Sequence, residues 1–143
     1  MSTSALHDIP VHVRFKLSAL WTALMFCYIY GDYFGLYVPG KLQGMINGTG
    51  PVGPVSEGTL VGTAVMLAIP ALMVLLSLVA PASLARWLNI GFGLVYAGIM
   101  LLTMPGAWWF YLTLGVIEIA LSLATVVVAW RWPRREVARA VND

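Results

Sequence analysis

Hydrophobic positions along the chain fall in four long runs, separated by short stretches rich in polar residues, Gly and Pro. These runs predict helices near residues 15–38, 58–80, 84–104 and 107–131. Each run is about 20 residues, the length that crosses about 30 Å of hydrocarbon at 1.5 Å per residue. Helices are required there because lipid leaves every backbone N–H and C=O to be satisfied within its own segment. Punctuation agrees with the boundaries. Pro39-Gly40 closes the first run, Pro81 the second, Met104-Pro105-Gly106 the third, and Trp130, Trp132 and Pro133 the fourth. The expected fold is all-α, a four-transmembrane-helix bundle forming a single membrane domain over residues 1–143. Residues 1–13 form a short polar lead-in with His7, Asp8 and His12, and residues 39–57 a long outer loop. No internal repeat is visible, which argues against an inverted-repeat transporter made from one chain.

Composition strengthens the membrane reading. Of the 143 residues, 60% are hydrophobic and 10% charged, against about 25% charged in a soluble domain. The bilayer is therefore the expected partner, and nucleic acid is not, because the cations flank apolar runs. Arg14, Lys16, Arg86, Arg131, Arg134, Arg135 and Arg139 fall on one side of four crossings, and only Lys41 on the other. The positive-inside rule then places both termini in the cytoplasm. The first apolar run is too long for a signal-peptide core of about 7–15 residues, and no small-x-small cleavage site follows it. Cys27 stands alone in an apolar run and reads as a small core residue.

Several motif matches carry no chemistry. Gly48-Thr-Gly-Pro-Val-Gly53 has the letters of a dinucleotide loop, but no strand precedes it and Pro51 lacks an N–H for a phosphate. Asn47-Gly-Thr49 is a chance sequon. No His/Cys cluster has metal-ligand spacing, so neither metal nor cofactor is expected. The outer loop is Gly- and Pro-rich and long for a connection between helices. It reads equally as a plain linker or as a lid, with Leu42, Met45 and Ile46 able to dip over the bundle mouth.

The informative residues are two acids inside apolar runs, Asp32 and Glu118. An ionisable group at membrane depth costs roughly 2.5–3.5 kcal/mol on insertion scales, and it generally faces a bundle interior with a functional role. Counted from the outer helix ends, their levels differ by roughly 6 Å at 1.5 Å per residue. Neighbouring first and fourth helices would thus bring both acids to one cavity in the outer half, near Tyr28, Tyr33, Tyr96 and Tyr111. No Lys or Arg lies at that depth in the runs, so Glu118 is expected to hold or share a proton at neutral pH. Tyr111, Glu118, Ser122 and Thr125 share one helix face, as do Asn89, Tyr96 and Thr103 at steps of 7. Thr59, Thr63, Met66, Pro70, Met73 and Ser77 line a third stripe, and Trp21, Met25, Tyr28 and Asp32 a fourth. Ser, Thr and small residues in such stripes, with Gly31-x-x-x-Gly35 and Gly58-x-x-x-Gly62, are the usual means of helix packing in lipid. Carboxylates are not. Pro70 in mid-run removes one backbone hydrogen bond and is expected to kink its helix near the depth of Glu118.

Some longer segments carry a resemblance. They are Lys16-Leu-Ser-Ala-Leu-Trp21, Tyr28-Ile-Tyr-Gly-Asp-Tyr33, Ile69-Pro70 with Met73-Val-Leu-Leu-Ser77, Arg86-Trp87-x-Asn89 and Ile117-Glu118. From about Arg14 to Trp132 the chain resembles a bacterial family of small four-helix membrane proteins of unknown function, and in general shape the DoxX-like proteins. The resemblance implies a multi-pass protein of the bacterial inner membrane and no particular activity.

Three functions compete. The first is a site for an apolar small molecule, binding or catalytic, with Glu118 and Asp32 as acid and base and Tyr28, Tyr33, Tyr96, Tyr111 and Asn89 orienting the ligand. The second is a proton-coupled carrier, which requires a homodimer because one chain holds no repeat. The third is a non-catalytic accessory subunit, whose acids would sit in separate hydrogen-bonded niches. Residue types alone leave open whether the protein is an enzyme.

Overall fold

The computed structural model describes residues 9–50 and 53–133. His7, Asp8, Pro51, Arg134, Arg135 and Arg139, which carry part of the sequence reading, lie outside these residues. The regular structure of the described residues is helical apart from one small hairpin. Helix α1 spans Val13–Gly35, α2 Lys41–Ile46, α3 Glu57–Val79, α4 Ala82–Thr103 and α5 Trp109–Trp130. Strands β1 (Thr49–Gly50) and β2 (Gly53–Pro54) pair antiparallel between α2 and α3. The described residues of the dinucleotide-like stretch thus pair as strands, with Gly48 and Gly53 at positive φ.

Helices α3, α4 and α5 are long and apolar enough to cross a membrane. Helix α1 has the same length as α3 but carries Arg14, Lys16 and Asp32. The long helices pack in the cyclic order α1, α3, α4, α5, with α4–α5 the most extensive seam and α3–α4 the thinnest. Polarity is not distributed as in a soluble protein. Asn89, Ser77, Ser122 and Thr125 are buried, whereas Leu102, Val79, Leu60 and Val116 face outward. An apolar shell around an interior that holds such polar groups needs lipid rather than water outside, and marks the chain as a membrane protein.

Two glycines set the α4–α5 approach. A Cβ on Gly93 would stand 2.7 Å from Val126 Cγ2 and 3.1 Å from the Ser122 carbonyl, and one on Gly115 2.8 Å from Met100 Cε. The Gly-x-x-x-Gly pairs singled out by sequence are looser. Gly62 has nothing within 4 Å and Gly31 only Leu114 at 3.7 Å. The spacing of two glycines does not decide which face of a helix meets a neighbour.

The end of the bundle where α1 starts and α5 finishes, here the termini end, is closed by arginines. Helix α3 lacks a basic residue in its last turn. Arg14 of α1 supplies one, donating to the carbonyls of Ser77 (3.2 Å), Leu78 (2.8 Å) and Ala80 (2.7 Å). These are the acceptors a helix C-terminus leaves unpaired. Arg86 lies over the rings of Trp87 and Trp130 and donates to the Trp130 carbonyl at 3.4 Å.

Above the end of α1 the chain reverses through Gly40, whose φ of 81° is left-handed. This sets Lys41 back over α1, its Nζ 3.0 Å from where a Cβ on Gly35 would stand. The reading of Asp32 as lacking any basic neighbour is therefore corrected. α1 stops at Gly35, short of Val38, and the reversal brings Lys41 within electrostatic range of Asp32.

Candidate functional site

The inner stripe of α1 runs Leu17, Trp21, Leu24, Gly31 and Gly35, all buried. Tyr28 follows the same stripe, and Asp32 sits one residue to its flank. On α5 the buried stripe is Gly115, Glu118, Ser122, Thr125 and Ala129. Because α1 and α5 are neighbours, both acids reach one space. A cavity of about 240 Å³ lies at the loop end of the bundle, and Tyr28, Asp32, Tyr96, Tyr111 and Glu118 all line it. Gly31, Thr63, Met66, Leu67, Ile99, Met100 and Thr103 complete the wall. Larger hollows at the termini end and on the outer faces contain neither acid.

The two acids are placed differently. Glu118 is 4% exposed, and among the described residues no hydrogen bond reaches its carboxyl. Asp32 lies at the open rim and is exposed. They are within electrostatic range of one another. One turn below Glu118, the buried Ser122 hydroxyl also has no partner among the described residues.

Several other polar side chains around the bundle are engaged. Tyr96 donates its hydroxyl to the Met66 carbonyl. That carbonyl lies four residues before Pro70, which has no N–H to give it, so the tyrosine replaces the missing helical bond. Tyr111 donates to Thr103 Oγ1 at 3.0 Å, and Thr103 to the Met100 carbonyl at 3.1 Å. Thr125 bonds back to the Leu121 carbonyl at 3.0 Å.

Two residues expected at the ligand site lie elsewhere. Asn89 is fully buried toward the termini end, accepting from Trp21 Nε1 (2.7 Å) and Ser77 Oγ (3.2 Å) and donating to the Ala85 carbonyl (2.7 Å). It ties α1, α3 and α4 together and does not line the cavity. Tyr33 points outward, its hydroxyl 2.7 Å from that of Tyr37. One residue past Asp32, the helical turn of 100° carries it off the inner stripe. No described residue of the 39–57 loop lines the cavity, and Leu42 and Ile46 are exposed.

Sequence reasoning put Met66 on one stripe with Thr63 but missed Met100 and Ile99 as wall residues, since apolar side chains of a membrane helix look alike from either face. The orphaned Met66 carbonyl was readable from Pro70 by counting back four residues. That Tyr96 takes it was not.

The sequence profile of a family of unknown function, DUF6326, matches residues 8–139. The chain belongs to this family. No curated protein and no solved structure matches the chain. Membership in DUF6326 spans the helices and the cavity but brings no activity with it, so the chemistry of this member rests on its own residues.

Proposed function

We propose that this protein is a four-span integral membrane protein that holds a small, largely apolar molecule in the cavity between Asp32 and Glu118. The fourth span is α1, whose outer face carries Phe15, Phe26, Ile29 and Phe34 exposed like the lipid faces of the other helices. Both termini lie in the cytoplasm of a bacterial cell and the outer loop faces away from it. The general shape is that of DoxX-like proteins. The observation that carries the ligand reading is Glu118: an acid almost completely buried, unpartnered among the described residues, and open to a cavity walled by tyrosines and aliphatic side chains. Burying such a group without a partner is costly. A ligand that engages it offsets that cost, as polar groups in otherwise apolar pockets commonly do. Asp32 and Glu118 would supply the acid and base of any reaction on the bound molecule. An accessory subunit would instead hold its acids in separate hydrogen-bonded niches, and a shared cavity favours a ligand over that role.

The test is to fill the space. Gly31 lines the cavity, and its Cβ position leaves ordinary contact distance to Leu114. Small apolar molecules added to the protein in lipid nanodiscs should raise its melting temperature, and Gly31→Leu should abolish that rise while keeping helical content. An equal rise in both proteins would count against a ligand in this cavity.

A further inference from the structure

We infer that the ligand is a small organic cation, an ammonium group carrying a short apolar body; this rests on the reading of the cavity as a ligand site. The argument is the balance of free donors and acceptors in its wall. The hydroxyls of Tyr96, Tyr111, Thr103 and Thr63 donate to the Met66 carbonyl, Thr103 Oγ1, the Met100 carbonyl and the Thr59 carbonyl. Tyr28 is the one lining hydroxyl with no partner among the described residues. The acceptors left over are the two carboxyls of Asp32 and Glu118. Such a wall asks for a donor.

Charge narrows the class. An anion would enter beside two acids. A neutral apolar molecule would strip water from both carboxyls and return nothing. An ammonium provides several donors and a positive charge at once. The aromatic lining suits it as well. Tyr28 and Tyr96 lie with ring centroids 6.2 Å apart and tilted at 35°, and with Tyr111 they offer π faces that attract a cation. Lys41 stands outside, over Gly35, and is not part of the wall. The volume of about 240 Å³ is below the roughly 300–1,000 Å³ of drug-sized pockets, so the apolar body is short.

The experiment compares two probes of one shape, benzylammonium and its uncharged carbon isostere, ethylbenzene. Each is titrated at matched free concentration into the full chain in nanodiscs, with methyl-labelled methionine read by NMR. The wall residues Met66 and Met100 report on the cavity. The expected result is that the cation shifts both methyl signals and binds at least about tenfold more tightly than the isostere, as a desolvated cation–π and ion-pair contact implies. Glu118→Gln should remove most of that preference and leave the isostere's affinity in place. If the isostere binds as tightly as the cation in the unaltered protein, the cationic class is overturned and the ligand cavity stands. If neither probe moves Met66 or Met100, the inference and the function proposed above both fall. The comparison in the unaltered chain does not depend on any variant folding.

Discussion

At the residue scale, buried polar groups divide into those that hold the bundle and those that do not. Asn89 belongs to the first kind. It accepts from Trp21 and Ser77 and donates to the Ala85 carbonyl, and Asn89→Leu strands the Trp21 N–H, whereas Ser77 keeps its bond to the Met73 carbonyl at 2.7 Å. We expect a loss of about 1–3 kcal/mol, the cost of one buried donor left without its acceptor. Denaturant unfolding in mixed micelles measures it. Glu118 is of the second kind. Glu118→Gln keeps the shape and removes an ionisable group that no described residue pairs, so it should leave stability unchanged or raise it by about 1 kcal/mol. A clear destabilisation by Glu118→Gln would show that the acid is part of the scaffold. Both residues drew notice in the sequence for the same reason, a polar group in an apolar run. Only their partners separate scaffold from site, and the partners come from helices distant in sequence.

At the element scale, close packing and capping depend on which residues face each other. Gly93 has no room for a Cβ against Val126 and the Ser122 carbonyl, whereas Gly62 has open space. Gly93→Ala should therefore cost about 1–3 kcal/mol through overpacking of the α4–α5 seam. Gly62→Ala should be neutral or stabilise by up to about 1 kcal/mol through helix propensity. Equal effects of the two changes in one unfolding assay would contradict this account. Arg14 is a second case. Its sequence role is that of a topology charge, and its structural role is to cap α3 across the bundle. Arg14→Gln should cost about 1–3 kcal/mol, from carbonyls left short of a charged donor. Amide exchange at the C-terminal turn of α3 should rise with it.

At the scale of the whole molecule, the proposed topology sets the termini end and the loop end on opposite sides of the membrane. With Cys27→Ser as background, Gln43→Cys should react with an impermeant maleimide on intact cells. His12→Cys should react only after permeabilisation. Labelling of both from one side would remove the four-span arrangement, and with it the placement of the cavity in the outer half.

Much of this protein follows from its order of residues alone. Long apolar runs, Pro and Gly breaks and sparse charges determine an all-helical membrane chain, because lipid satisfies no backbone group and so admits few alternatives. The same physics picks out Asp32 and Glu118, since an acid in an apolar run is costly wherever it packs. The tertiary structure decided what one-dimensional spacing does not carry. It set α1 beside α5 and brought the two acids to one cavity. It turned Lys41 back toward Asp32, and gave Tyr96 to the carbonyl freed by Pro70. It also placed Asn89 in a structural node and Tyr33 on the outer face. Periodicity assigns a residue to a helix face; the neighbour of that face is set by how four cylinders pack, and that neighbour determines whether a polar group is a strut or a site.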